Sequence, residues 1–149
     1  MRYTIIFSLI LFILISGCSK DKFGAKPSLK FTGVNTSELH PGDILQFKMS
    51  FTDAEGDISN KMIVQEVLTN CADGFTQEYV VPQVPVQPNQ KGDIIVTFGY
   101  QNDAAPSPIT KQTGCNTDVD SAFFKFVLKD LKGNLSDTVT SPLVLIFKN

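Results

Sequence analysis

The chain of 149 residues contains 13 basic and 15 acidic residues, which gives a formal net charge of −2 at pH 7. Arg2 is its only arginine, so the chain lacks both a strongly basic surface and the guanidinium groups that bind phosphate. This composition argues against nucleic-acid binding, and the length fits one domain with a hydrophobic core of its own.

The first residues have the pattern of a secretory signal. Arg2 precedes an apolar run over residues 5–15, which is too short to span a bilayer. The run ends in Ile15-Ser16-Gly17-Cys18, which resembles the lipobox of bacterial lipoproteins. The resemblance implies cleavage after residue 17 and attachment of lipid to Cys18. The alternative is an ordinary cleaved signal peptide in which the cysteine is incidental.

A lipid on Cys18 would place the protein in the cell envelope, at the outer membrane, on either its periplasmic or its surface face. Residues 19–27 are polar, contain Gly and Pro, and show no periodicity, so residues 18–27 are predicted to be a short tether. The folded domain is predicted to cover residues 28–149.

Two cysteines remain after Cys18, namely Cys71 and Cys115. Outside the cytoplasm an even number of cysteines favours a disulfide, so we expect these two to be bonded to each other. Two unpaired buried thiols are the alternative. With His40 as the only histidine, the cysteines offer too few ligands for a structural zinc site.

From residue 28 onward the sequence alternates between apolar and polar residues, as β-strands do. The clearest run is 44–51, where Leu45, Phe47, Met49 and Phe51 share one face. Further runs lie at 28–34, 61–68, 77–81, 93–100, 122–129 and 138–147. Pro142 falls inside the last run and predicts an edge or bulged strand there.

About seven strands without any helical periodicity predict an all-β fold, a single antiparallel β-sandwich of immunoglobulin type. Two segments, residues 51–58 and 127–139, resemble the acidic loop and the last hairpin of bacterial immunoglobulin-like, cadherin-like and PKD-like modules. The chain has no tryptophan, and it also lacks the inter-sheet cysteine pair of antibody domains. The resemblance therefore concerns the wider class of sandwiches.

Alternating strand directions place the loops 53–60 and 130–137 at one end of such a sandwich and the two cysteines at the other. The two loops are acidic, and carboxylate oxygens are the preferred ligands of hard cations such as calcium. The spacing is not that of an EF-hand, because the twelfth residue counted from Asp53 is Val64. The alternative is that these residues only form turns. The candidate metal ligands are Asp53, Glu55, Asp57, Asp130 and Asp137.

No catalytic motif is present, and His40 lies in the turn sequence His-Pro-Gly-Asp. We therefore do not expect an enzyme. We expect a membrane-anchored, non-catalytic binding or adhesion module, with a glycan or another envelope protein as candidate partners. The polar stretch 102–121 is a candidate binding loop, or else an irregular excursion held by the disulfide. The alternatives are an accessory subunit of an envelope assembly and a small hydrolase that uses acidic residues.

Overall fold

The computed structural model describes residues 24–102 and 114–149, and all regular structure in these ranges is β. The predicted all-β fold is confirmed. None of the described residues belongs to a helix that could cross a membrane. The strands are β1 Ser28–Val34, β2 Glu38–Leu39, β3 Ile44–Asp53, β4 Lys61–Leu68, β5 Thr76–Val80, β6 Gln90–Gly99, β7 Val119–Lys129, β8 Val139–Thr140 and β9 Val144–Phe147.

The strands form two sheets that pack face to face. The smaller sheet has the order β1-β3-β6, and the larger has the order β2-β9-β7-β4-β5, with β8 beside β7. All pairs are antiparallel except β2 with β9, which run parallel. The prediction of antiparallel pairing is therefore correct except for this one pair. Strand β2 has only two residues, too few to show an alternation of apolar and polar residues in the sequence.

The core lies between the sheets and consists of the residues that the alternation pointed inward. In β3, every second residue from Leu45 to Asp53 is buried. Rings from the two sheets meet across the core, with centroids 4.8 Å apart for Phe47 and Phe124 and 5.0 Å for Phe47 and Phe126. Burying one such side chain stabilises the fold by roughly 1.5–3 kcal/mol. These contacts therefore hold the two sheets against each other.

The predicted last strand is divided into β8 and β9 around Pro142. Pro142 has no N–H to donate, and Ser141 takes over the pairing beside it. The Ser141 hydroxyl accepts a hydrogen bond from the Phe124 N–H at 3.0 Å, and the Ser141 N–H donates to the Phe124 carbonyl at 2.8 Å. The sequence predicted a single edge or bulged strand here. The structure instead has two strands separated by Pro142, and β9 is not an edge strand, because β2 pairs with its other side.

The two ends of the sandwich differ in chemistry. We call the end formed by residues 53–60 and 130–137 the acidic end. The opposite end holds the Cys71–Cys115 disulfide, with the Cα atoms 5.6 Å apart, so we call it the disulfide end. The predicted disulfide is confirmed.

The chain enters the domain at the acidic end. The Gly24 carbonyl accepts a hydrogen bond from the Ala54 N–H at 3.2 Å, and the Ala25 carbonyl accepts one from the Asn134 side chain at 3.3 Å. Strands, core and disulfide lie within residues 24–149. The proposed lipid site at Cys18 lies outside the described residues, as does most of the candidate binding loop, residues 103–113.

Candidate metal site at the acidic end

The first acidic loop begins where β3 ends, at the buried Asp53. This residue continues the inward positions of β3, so its side chain enters the interior. One of its oxygens accepts hydrogen bonds from the N–H groups of Gly56, at 2.6 Å, and Asp57, at 3.1 Å. Such a bond from an aspartate to the following backbone is a common way to close a turn.

Gly56 permits this turn for two reasons. Its φ angle is +71°, a conformation that side chains with a Cβ rarely adopt. A Cβ on Gly56 would also lie 2.0 Å from the carbonyl oxygen of Gln87. The glycine therefore lets the acidic loop pack directly on the segment that leads into β6.

The second acidic loop is organised by Asp130, which continues the inward positions of β7 by one residue. One Asp130 oxygen accepts a hydrogen bond from the Asn134 N–H at 2.7 Å, and the other accepts one from the Asn134 side-chain amide, also at 2.7 Å. The loops are joined to each other as well. The Asn60 side chain donates to the Asp130 carbonyl at 2.7 Å, and the Leu131 N–H donates to the Asp57 carbonyl at 2.9 Å.

These bonds bring three carboxylates together. Asp53, Asp57 and Asp130 each place one oxygen within 4.8 Å of the others. Asp53 and Asp130 are fully buried, and Asp57 is 8% exposed. No ion pair among the described residues includes any of the three. Three carboxylates thus share one buried space without a directly paired cation.

Two oxygens of the cluster have no hydrogen-bond donor in the structure. They are Oδ1 of Asp53 and Oδ1 of Asp57, both buried. Burial raises the pKa of Asp57, and the negative charges of Asp130 and then Asp53 raise it further. Unpaired buried oxygens and crowded negative charge are both unfavourable, and a bound cation would relieve both.

The two other candidate ligands are placed differently. Glu55 forms an ion pair of 2.5 Å with Lys132. Asp137 is 90% exposed and pairs with Lys26 of the entering segment at 2.6 Å. The expectation that Asp137 converges with the other acids is wrong. Asp137 follows the buried Ser136, and its own side chain points out of the interior. Glu55 stays beside the cluster, engaged with a lysine.

The acidic residues of this end raise the pKa of Lys132. Its bond with Glu55 raises the pKa of Lys132, and the negative charges of Asp57 and Asp130 add to that effect. Its ammonium group is engaged by Glu55 at the surface and does not contact the three aspartates. In the sequence Lys132, Asn60 and Asn134 look like ordinary polar loop residues, and no motif marks them as part of the site.

The only histidine lies far from this cluster. The His40 ring stacks on Phe147, with centroids 4.4 Å apart, and the backbone N–H of His40 donates to the Asp43 carboxylate at 2.8 Å. Both contacts lie near the start of β3, whereas Asp53 is its last residue. His40 is therefore a turn residue with no part in the acidic site.

No family model matches the chain, and no curated protein matches it significantly. Among solved structures, it is similar to the sporulation control protein Spo0M from Bacillus subtilis, at 9% identity and a TM-score of 0.46 over 83% of this chain and 50% of that one. It is also similar to a Niemann-Pick type C2 protein from Japanese carpenter ant, at 11% identity and a TM-score of 0.43 over 83% and 95%. The chain thus spans about half the length of the Spo0M structure.

Proposed function

We propose that this protein is a lipid-anchored, non-catalytic binding module of the bacterial envelope whose acidic end binds one calcium ion. The observation that carries the cation site is the pair of buried, unpartnered oxygens on Asp53 and Asp57, gathered with Asp130 within 4.8 Å. A charged group is stable in the interior only when it is paired or ligated.

Calcium suits the cluster better than other common ions. The side chains offer only carboxylate oxygens, which favour hard cations over zinc or copper. Calcium accepts irregular sets of six to eight oxygens, including carbonyls and water, whereas magnesium demands a nearly ideal octahedron. Three aspartates on two loops fit the more tolerant ion.

The proposed anchor gives the domain an orientation. The stretch from Cys18 to Gly24 reaches at most about 20 Å when fully extended, and Gly24 contacts the acidic end. A lipid on Cys18 would therefore hold the acidic end towards the membrane and turn the disulfide end away from it. The loops of the disulfide end are then the surface available to a glycan or another envelope protein.

Calorimetric titration of residues 19–149 with calcium tests the cation site. We expect one saturable site per chain, which Asp57→Asn removes because it replaces a ligand charge. Asp137→Asn is the matched control, since Asp137 is acidic, lies at the same end and is outside the cluster; it should leave the affinity within about twofold. Absence of saturable binding to the wild type would refute the cation site, and so would binding that survives Asp57→Asn.

The anchor is tested separately, in cells. Cys18→Ser should yield protein without attached lipid, either released from the membrane or retained as an unprocessed precursor. Mass spectrometry of the purified protein and its partition into detergent provide the readout, with Ser19→Ala as control. A Cys18→Ser protein that is correctly cleaved and still fully in the detergent phase would contradict lipidation of this cysteine.

A further inference from the structure

An ion pair joins the two acidic loops beside the three aspartates. The Lys132 ammonium contacts Oε2 of Glu55 at 2.5 Å. Glu55 lies between Asp53 and Asp57 in the first loop, and Lys132 lies two residues after Asp130 in the second. The pair therefore lies at the border of the proposed calcium site and connects the same two loops that form the site.

One oxygen of the Glu55 carboxylate is turned towards the interior. The side chain as a whole is 32% exposed, but its Oε2 is buried. Burial and the charges of Asp130 and Asp53 raise the pKa of Asp57, and the charge of Glu55 adds to them. Glu55 is thus a fourth carboxylate within electrostatic reach of the cluster, and among the described residues Lys132 is the cation that pairs with it.

A second ion pair at the same end has a different environment. Lys26 pairs with Asp137 at 2.6 Å, and their side chains are 55% and 90% exposed. Asp137 lies outside the cluster of three aspartates, and exposed pairs of this kind contribute little to stability. The acidic end therefore has one ion pair beside the cluster and one away from it, and the second serves as a control for the first.

We propose that Lys132 competes with calcium for Glu55, an inference that rests on the proposed calcium site. Without the ion, Lys132 holds the Glu55 carboxylate. With the ion bound, Glu55 leaves Lys132 and becomes a fourth carboxylate ligand. Calcium accepts a variable number of carboxylate oxygens, and a doubly charged ion in a buried site attracts a carboxylate more strongly than an exposed ammonium group does. Lys132 thus lowers the calcium affinity of the site.

The experiment compares the calcium affinities of Lys132 variants of residues 19–149 by calorimetry. Lys132→Met removes the charge and keeps an unbranched side chain, so it should raise the affinity about tenfold, because Glu55 is released and a repelling charge is lost. Lys132→Arg keeps the ion pair and should bind calcium as the wild type does. Lys26→Met is the matched control, since Lys26 pairs outside the cluster; it should change the affinity by no more than about twofold.

A double variant separates the release of Glu55 from the simple loss of a positive charge. Adding Glu55→Gln to Lys132→Met should cancel most of the gain in calcium affinity, because an amide replaces the released carboxylate. Adding Asp137→Asn instead removes a carboxylate that lies at the same end but outside the cluster. That second double variant should keep the gain within about twofold.

The opposite result is expected if Lys132 only ties the two loops together, because its removal would then loosen the site. If the wild type binds calcium and Lys132→Met binds it equally or more weakly, this inference is overturned and the calcium site stands. Full gain in the variant that also carries Glu55→Gln would overturn it as well. If neither the wild type nor Lys132→Met shows saturable binding, the calcium site itself is refuted, and this inference with it. The Lys132 side chain is 59% exposed, so its replacement should not prevent folding.

Discussion

Strand β7 carries a buried aspartate near each of its ends, and the two differ in whether a described lysine pairs with them. Asp120, at the disulfide end, is 1% exposed, and Asp130, at the acidic end, is fully buried. Both lie on the inward-facing positions of the strand. The two residues thus share their type and their strand and are buried to nearly the same depth.

At the disulfide end the protein supplies its own partners for the charge. Asp120 accepts hydrogen bonds from the Thr117 hydroxyl at 2.8 Å and the Cys115 N–H at 3.1 Å, and it pairs with Lys148 at 3.1 Å. Burial alone would raise the pKa of Asp120, but the bonds from Thr117 and Lys148 outweigh it, and the pKa is lowered. The carboxylate is thus stable as an anion.

At the acidic end both Asp130 oxygens accept hydrogen bonds from Asn134, but no described cation pairs with Asp130, Asp53 or Asp57. Asp57 has a raised pKa through burial and the charges of Asp130 and Asp53, and two oxygens of the cluster lack donors. The nearby Lys132 is engaged by Glu55. The disulfide end thus supplies a lysine for its buried aspartate, whereas the acidic end would obtain its positive charge from the calcium ion that we propose.

The largest expected effect concerns the disulfide end. Replacing Cys71 and Cys115 by Ala removes a cross-link between residues 44 positions apart, which should lower the free energy of unfolding by about 4 kcal/mol. Since the disulfide does not touch the acidic loops, the loss should be the same in calcium and in chelator. Urea unfolding in both buffers checks this. A loss confined to one buffer would show that the two ends are coupled.

A smaller effect should appear in the pH dependence of Asp57→Asn, measured in chelator. Because the folded-state pKa of Asp57 is raised above its usual 3.8, the folded protein binds this proton more tightly than the unfolded chain. Wild-type stability should therefore fall as pH rises from about 4 through that raised pKa. Asp57→Asn removes this loss and should be more stable than wild type by roughly 1 kcal/mol at neutral pH. Urea unfolding of both proteins from pH 4 to 8 measures the difference.

Asp120→Asn is the matched control for that comparison. The folded-state pKa of Asp120 is lowered, so its stabilisation is present above pH 4 and is lost as pH falls through the lowered pKa. Asp120→Asn should therefore destabilise by about 1–3 kcal/mol at neutral pH, with a smaller difference in acid. The same sign for both variants at neutral pH would contradict the contrast between the two ends.

Much of the fold could be predicted from the sequence, because the core positions alternate so regularly. Residues 28–34 and 61–68 form strands with the predicted bounds. Strand β2 escaped prediction because two residues cannot show a period, and its parallel pairing with β9 depends on tertiary placement. The missing N–H of Pro142 predicted an edge or bulged strand, but neither the division into β8 and β9 nor the compensating role of the Ser141 hydroxyl was visible in the sequence.

The candidate site was predicted in outline. Strand direction alone placed Asp53, Asp57 and Asp130 at one end, and the structure brings them together. The same reasoning failed for Asp137, because being at the right end does not determine where a side chain points.

The most direct test of the contrast between the two ends is a thermal melt of residues 19–149 in chelator and in calcium at a hundred times its dissociation constant. Calcium should stabilise the wild type by about 2.7 kcal/mol, or on the order of 10 °C in melting temperature. Asp120→Asn should melt lower but show the same calcium shift, whereas the double variant Asp53→Asn, Asp57→Asn should show none. A wild type that melts at the same temperature in both buffers would contradict the account, and so would a calcium shift that persists in the double variant.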